Sequence, residues 1–359
     1  MHRLGFPGTA IVAAGLAALA ATATVPAFSA DNTYRLTGPY THDALAVYLI
    51  HREPKDRGPV PLTLAEAMEQ GVVKVLETGD VEELVVRNRG GREVFIQAGD
   101  IVKGGKQDRV LTVSMVLPPN SGDIPVGAFC VEQARWEGRG SEKESEFSAS
   151  TARLPSKAGR LALYYRAQES SGATDGGRAW TTGSPTGRDD LQDRIWASVT
   201  AMQSGLGGAM MESVADERSR SSLQLSLENA ALASALEGYE EALGRLAQDH
   251  PDAVGYVFSI GGRLDGGDEF ASAALFRKLW ARQLKAAATE ALASKSAAAR
   301  AQPTLAEVVA FIDGARSARA SSRAMPGGMA VETRASDEAF FTEMRRPQGL
   351  WVHRSFIAR

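Results

Sequence analysis

A chain of 359 residues with 40 Lys and Arg against 43 Asp and Glu carries a formal charge of −3, a balance that favours neither nucleic acid nor a membrane surface as partner. Its 44% apolar and 23% charged residues can bury a large core, which sets it apart from disordered chains. Cys130 is the only cysteine, so no disulfide can form within the chain even in an oxidising compartment.

Residues 1–30 read as a signal peptide. Met1, His2 and Arg3 make a short basic start, IVAAGLAALA is an apolar run of the length of a signal-peptide core, and small residues follow. Cleavage fits after Ala27, where Val25 and Ala27 occupy the two key positions, or after Ala30. The run is too short for a bilayer, which takes about 20 apolar residues, and no second such segment occurs. The expected location is periplasmic or secreted, with no transmembrane anchor once the segment is removed. Removal takes one Arg and no acid, moving the formal charge from −3 to −4.

From 31 to 168 the pattern is mostly strand. ALAVYLIH, VVKVLE, VEELVVRN, REVFIQAG, RVLTVSMVLP, IPVGAFCVE and RLALYYRAQ are short apolar or β-branched runs separated by Gly, Pro, Asn and Asp. One helix interrupts them at LTLAEAMEQG, where Thr63 caps the start, Glu66 sits three residues on, and Gly71 ends it. Residues 169–190, rich in Gly, Ser and Thr, read as a surface loop in which Trp180 alone needs a docking pocket.

The part from 191 to 359 reads as mainly helical. LQDRIWASVTAM and LQLSLENAALASALEGYEEALGRLA carry apolar residues at helical spacing, and GYVFSIGGRLDGGDEF reads as a buried strand followed by a glycine-rich turn. Phe276, Trp280, Leu284, Ala287 and Ala291 recur along one long helix, Leu305 to Arg316 form another, and LWVHRSFIA is a final strand. The expected fold is α+β: an N-terminal β-rich sheet or sandwich, a helical C-terminal half of the same or an interlocked domain, and a returning C-terminal strand.

Two polar clusters sit inside the apolar strand pattern, AGDIVKGGKQDRVLTV (98–113) and VGAFCVEQARW (126–136). Their charged side chains must be paired, solvated or functional, because apolar neighbours bury both flanks. Gly104 and Gly105 permit a sharp turn with exposed backbone N–H groups, and Lys106, Gln107 and Arg109 can complete an anion pocket. The competing reading is a hairpin turn with solvated charges. GGKQDR is not a P-loop, since it lacks the four-residue spacer and the Ser or Thr after Lys. Glu132 is the candidate acid, base or metal-binding group, Arg135 the grip for an anion and Trp136 a stacking wall. Against that stands a Glu–Arg pair that merely closes a strand end. A strand from Arg109, a Pro-Asn-Ser-Gly turn and a returning strand would bring both clusters to one end of a sheet.

The remaining candidates are weaker. Cys130, between Phe129 and Val131, reads as a buried hydrophobe and not a nucleophile. Asp265, Asp268 and Glu269 offer oxygen ligands for calcium or magnesium, but Asp268 reads better as the cap of the next helix. The five histidines form no HxH or HExxH and no GxSxG occurs, so neither a zinc hydrolase nor a serine hydrolase of that type is supported, and no cofactor is expected. Arg277, Lys278, Arg282 and Lys285 read as a solvated helix face.

GGKQDR, FCVEQARW, GYVFSIGGRLDGGDEFASAALFRKLW and HRSFI together resemble the ARG and Rhodanese-Phosphatase-superfamily-associated domain family along nearly the whole mature chain. That family's activity is undefined. Its association with ADP-ribosylglycohydrolases implies ADP-ribose or a related phosphorylated metabolite. The functional expectation is an exported protein that binds or processes an anionic small molecule, ADP-ribose-like, nucleotide or sugar phosphate. The alternative is a non-catalytic envelope or extracellular interaction protein. An open concave pocket holding the named side chains favours the first, and closed salt bridges on a convex surface favour the second.

Overall fold

The computed structural model describes residues 27–28, 33–53, 58–169, 188–294 and 300–359. The signal segment and the loop with Trp180 lie outside them, but for the backbone at 27–28, 169 and 188–190. Strand β1 (Ala27–Phe28) pairs with β2 (Arg35–His42), which forms a hairpin with β3 (Leu45–His51). β4 (Leu62–Thr63) leads into α1 (Leu64–Glu69), and the expected capping box is present: Thr63 Oγ1 accepts from Glu66 N, while the Glu66 carboxylate accepts from Thr63 N.

Next come β5 (Val73–Glu77), β6 (Glu83–Asn88), β7 (Val94–Ile96) and β8 (Asp100–Gly104). RVLTVSMVLP, expected as one strand, is two: β9 (Arg109–Leu111) and β10 (Met115–Leu117), which join different sheets. A run buried on both faces looks the same whether it stays in one sheet or crosses between two. β11 (Gly122–Cys130) and β12 (Phe147–Arg153) follow.

RLALYYRAQ is not a strand but most of a helix, α2 (Lys157–Glu169). Periodicity alone does not separate a short apolar run in a strand from one in a helix. The start signal was there in Pro155-Ser156: Ser156 Oγ accepts from Gly159 N and its carbonyl from Arg160 N. α3 (Arg188–Met210) is as expected, but the following acidic helix is three pieces, α4 (Leu223–Leu227), α5 (Ala230–Leu243) and α6 (Leu246–Asp249): Asn229 caps a new start at α5, and Gly244 and Arg245 separate α5 from α6.

β13 (Ala253–Ile260) and β14 (Arg263–Phe270) form a hairpin turning at Gly261-Gly262, so RLDGGDEF is a strand and not a turn. Its glycines serve close packing instead. A Cβ on Gly267 would lie 2.1 Å from the Tyr256 carbonyl oxygen of the neighbouring strand. Asp268 is therefore no helix cap; Ser272 caps α7 (Ala273–Ala293), with its side chain accepting from Leu275 N. All five apolar residues expected on one face of α7 are buried. After α8 (Leu305–Ser317) come β15 (Ala320–Ala324), β16 (Ala330–Ala335) and β17 (Ala339–Arg345), which the sequence reading passed over, and the final strand β18 (Trp351–Ala358).

The molecule is mixed α+β. A nine-stranded antiparallel sheet runs β1-β2-β3-β13-β14-β18-β17-β16-β15, so the C-terminal strand does return beside strands from the start of the chain. A six-stranded sheet, β12-β8-β9-β11-β6-β5, and a three-stranded sheet, β10-β7-β4, share a second core of Val75, Val86, Ile96, Leu111 and Val126. One face of the large sheet packs on α8 through Tyr48, Val257, Phe311 and Phe356. The largest core lies on its other face, where Leu49, Phe258 and Trp280 meet Phe95, Val110 and Phe129 from the smaller sheets.

Candidate functional site

The two polar clusters meet. Residues 105–108 connect β8 to β9, and the antiparallel register sets Arg109 opposite Cys130, which brings Glu132 to Trp136 alongside the turn. Gly104 and Gly105 have φ of 108° and 57°, and a Cβ on Gly105 would stand 2.4 Å from the Phe147 ring, so this turn requires glycine. Opposite it, Ala134 also adopts positive φ, 66°, and the bend lets Arg135 reach back to donate to the carbonyls of Gly104 and Gly105.

Glu132 is fully buried and both its oxygens are engaged. Oε1 accepts from Arg135 Nε at 2.8 Å, and Oε2 accepts from Arg135 Nη2 at 2.7 Å and from Asp108 N at 3.0 Å. Asp108 is likewise buried; it accepts from both terminal nitrogens of Arg139 at 2.6 and 2.8 Å, from Ser222 Oγ at 2.7 Å and from Gly104 N at 2.9 Å. These are fork-to-fork guanidinium–carboxylate pairs, the strongest geometry such groups adopt. Arg139 and Ser222 complete the network without having been singled out in the sequence. Arg139 sits in an ordinary-looking charged stretch, EGRGSEKE, and Ser222 lies 114 residues from Asp108.

The two carboxyls shift in opposite directions. Burial works to raise Glu132, but the hydrogen bonds from Arg135 and the Asp108 backbone hold it below the usual carboxylate range. Burial pushes Asp108 up despite Arg139, and the neighbouring Glu132 charge adds to the rise. Glu132 is thus an ionised group locked to Arg135.

The other sequence candidates divide into buried and exposed. Gln107 donates through Nε2 to the Glu132 carbonyl, and Arg109, fully buried, donates to the Gln107 carbonyl at 3.1 Å and to Glu77 at 3.4 Å. Trp136 is 47% exposed, with the Lys106 ammonium 5.0 Å and the buried Arg109 guanidinium 5.9 Å from its ring centroid. Arg135 and Arg139, with Glu137 and Glu142 of the same segment, form part of the wall of a broad depression of about 960 Å³, which Arg218 and Arg220 line from a second segment.

Cys130 is buried and burial pushes its thiol up to about 11, as befits an inert side chain. The acidic trio does not gather around a metal position: Asp265 pairs with Arg160, Asp268 with Arg153 and His353, and Glu269, on the opposite face of β14, with Arg52, Arg316 and Arg354. Among the described residues no group of three or more His, Cys, Asp or Glu is placed to hold a metal. Arg282 is not a solvated charge of α7 but pairs with buried Asp100 at 3.0 Å.

A family model described as ARPP-1, the ARG and Rhodanese-Phosphatase-superfamily-associated Protein domain, matches residues 33–357. No curated protein and no solved structure matches the chain.

Proposed function

The chain belongs to the ARG and Rhodanese-Phosphatase-superfamily-associated Protein domain family, and from that premise we propose that it is an exported protein that binds an anionic small molecule, ADP-ribose-like, nucleotide or sugar phosphate. One observation carries the reading: a half-exposed indole has over its ring an ammonium with no carboxylate partner among the described residues, beside a depression that Arg135 and Arg220 line. An aromatic face suits a base or sugar ring, and a lysine beside it suits a phosphate. In this reading Lys106, Trp136 and the outer edge of Arg135 touch the ligand. Gln107, Arg109 and Glu132 stand behind and hold them in place. Glu132, with both oxygens occupied, serves to aim Arg135 and not to move a proton.

Export rests on the basic start, the apolar run and the small residues before Phe28. Among the described residues no helix is long and apolar enough to cross a membrane. Mass spectrometry of the protein from its native host is expected to find a start at Phe28 or Asp31; an intact Met1 in the cytoplasm would overturn this part of the proposal.

The binding claim is tested by thermal shift on the mature protein with ADP-ribose, nucleotides and sugar phosphates, since a ligand of the native state raises its melting temperature. A dose-dependent rise that disappears in Lys106→Ala and Trp136→Ala supports it. The closed Asp108–Arg139 and Glu132–Arg135 pairs favour a second reading, a non-catalytic interaction protein whose cluster only stiffens the fold. No shift with any of these anions would favour that second reading.

A further inference from the structure

We propose that Ser114 and His353, with Asp268 as the positioning residue, form a hydrolytic centre for a neutral short-chain carboxylic ester, at a cavity between the large sheet and the smaller ones. Ser114 lies in the link where the chain leaves β9 for β10, while His353 and Asp268 come from the adjacent strands β18 and β14. The register sets Asp268 opposite Ser355 and Phe270 opposite His353, so Asp268 and His353 point from the same face of the sheet.

The hydrogen bonds form one directed chain. His353 Nε2 has Asp268 Oδ1 at 3.0 Å and the Gln97 amide nitrogen farther off at 3.5 Å; the nearer carboxylate accepts only, so that nitrogen carries the proton. Nδ1 is then the free base, 3.0 Å from Ser114 Oγ, and takes the hydroxyl hydrogen. Ser114 Oγ in turn accepts from Ala98 N at 2.9 Å, which keeps its O–H free to donate to the imidazole. This is the nucleophile, base and orienting carboxylate required of an activated serine. Rotation of the imidazole is blocked by Phe270 and Phe95, whose ring centroids lie 4.9 and 5.7 Å away.

The other Asp268 oxygen accepts from Arg153 at 2.8 Å and from Tyr256 at 3.2 Å. Burial works to raise this carboxyl, but Arg153 and His353 hold it far below its ordinary range, so it stays ionised.

The lining selects the substrate class. Ser114 and His353 face a cavity of about 40 Å³ whose walls include Val113, Leu163, Met344 and Ile357. Its two guanidiniums are already matched, Arg153 by Asp268 and Arg160 by Asp265 and Glu290, so no unmatched charge is offered to an anion. A space that holds a few water-sized groups suits a short acyl chain.

In the reaction Ser114 Oγ bonds to the acyl carbon as its proton passes to His353 Nδ1. That proton then goes to the departing alkoxide as the ester C–O bond breaks, leaving acyl-Ser114 and an alcohol. Water, deprotonated by His353, attacks the acyl carbon; the bond to Ser114 Oγ breaks and the proton returns to it. Ester and water become acid and alcohol, with no redox change.

The test is covalent labelling of the intact mature protein by an alkyl fluorophosphonate, which reacts with activated serines. The expected result is a single adduct on the peptide carrying Ser114, none in Ser114→Ala, and labelling slower by at least roughly 10²-fold in His353→Gln. In Asp268→Asn the pH profile of labelling is expected to shift, a change that a purely structural aspartate would not cause. A folded wild-type protein that takes up no label, or takes it up at another serine, overturns the proposal whether or not the variants fold. The outcome is independent of anion binding at Trp136, so the two claims stand or fall separately.

Discussion

At the scale of single residues the polar clusters separate into groups that hold the fold and groups left free to act. Arg135 makes two hydrogen bonds to a carboxylate with no exposure, leaving it on removal only the Asp108 N–H and Arg139 at 3.4 Å, so Arg135→Ala is expected to cost about 2 kcal/mol or more of stability in urea unfolding. Lys106→Ala removes a side chain with no carboxylate partner among the described residues and is expected to change stability by less than about 0.5 kcal/mol. Equal effects from the two would remove the distinction.

Glu290 supplies a pH signature. Burial, and then the charge of Asp265, push its carboxyl from an ordinary 4.5 up to about 7. Its folded pKa lies above the unfolded one, so its stabilising contribution is fully present below about pH 4.5 and is lost as the pH rises through about 7. Glu290→Gln is therefore expected to gain on wild type across that window, by something on the order of 1–3 kcal/mol. Chemical denaturation at a series of pH values checks this; a constant difference between the two proteins would contradict it.

Among elements, legibility followed the strength of local signals. The capping box at Thr63, the alternation in β6 and the apolar stripe of α7 each rest on one period or one cap, and each was readable. α2 was misread because its apolar residues crowd together without a clear period, so the choice fell to Ser156, a weak cap signal. β15 and β16 were missed because ASSRA and AVETRA are small and polar, and they are strands by virtue of the neighbours that pair with them. The GGKQDR turn was readable from its glycines, and it carries a prediction. Gly105→Ala must place a methyl against the Phe147 ring at positive φ, whereas Gly140, also at positive φ, has open space around it. Gly105→Ala is expected to cost about 2 kcal/mol or more, and Gly140→Ala about 1 kcal/mol. Comparable melting temperatures for the two variants would show that packing at Gly105 does not govern the turn.

On the scale of the whole molecule, the site that could be read from sequence is the one whose parts lie within forty residues of each other. Lys106 to Trp136 goes out along β9, passes through β10 of another sheet and comes back along β11 beside β9, so the expected antiparallel return still joins the two clusters. Ser114, Asp268 and His353 had no such route. They come from both halves of the chain and meet only where the smaller sheets lie against the larger one, an arrangement fixed by tertiary packing in the shared core. The same holds for Ser222, 114 residues from Asp108.

For a chain of net charge −3 to hold an anion, the attraction must be local, and the Lys106 ammonium over the Trp136 ring is where the proposed binding draws it. Titration calorimetry of ADP-ribose into the mature protein tests that most directly. The account predicts saturable binding that weakens as salt is raised and falls by at least about tenfold, 1.4 kcal/mol, in each of Lys106→Ala and Trp136→Ala. Binding that is absent, or unchanged in both variants, would contradict it.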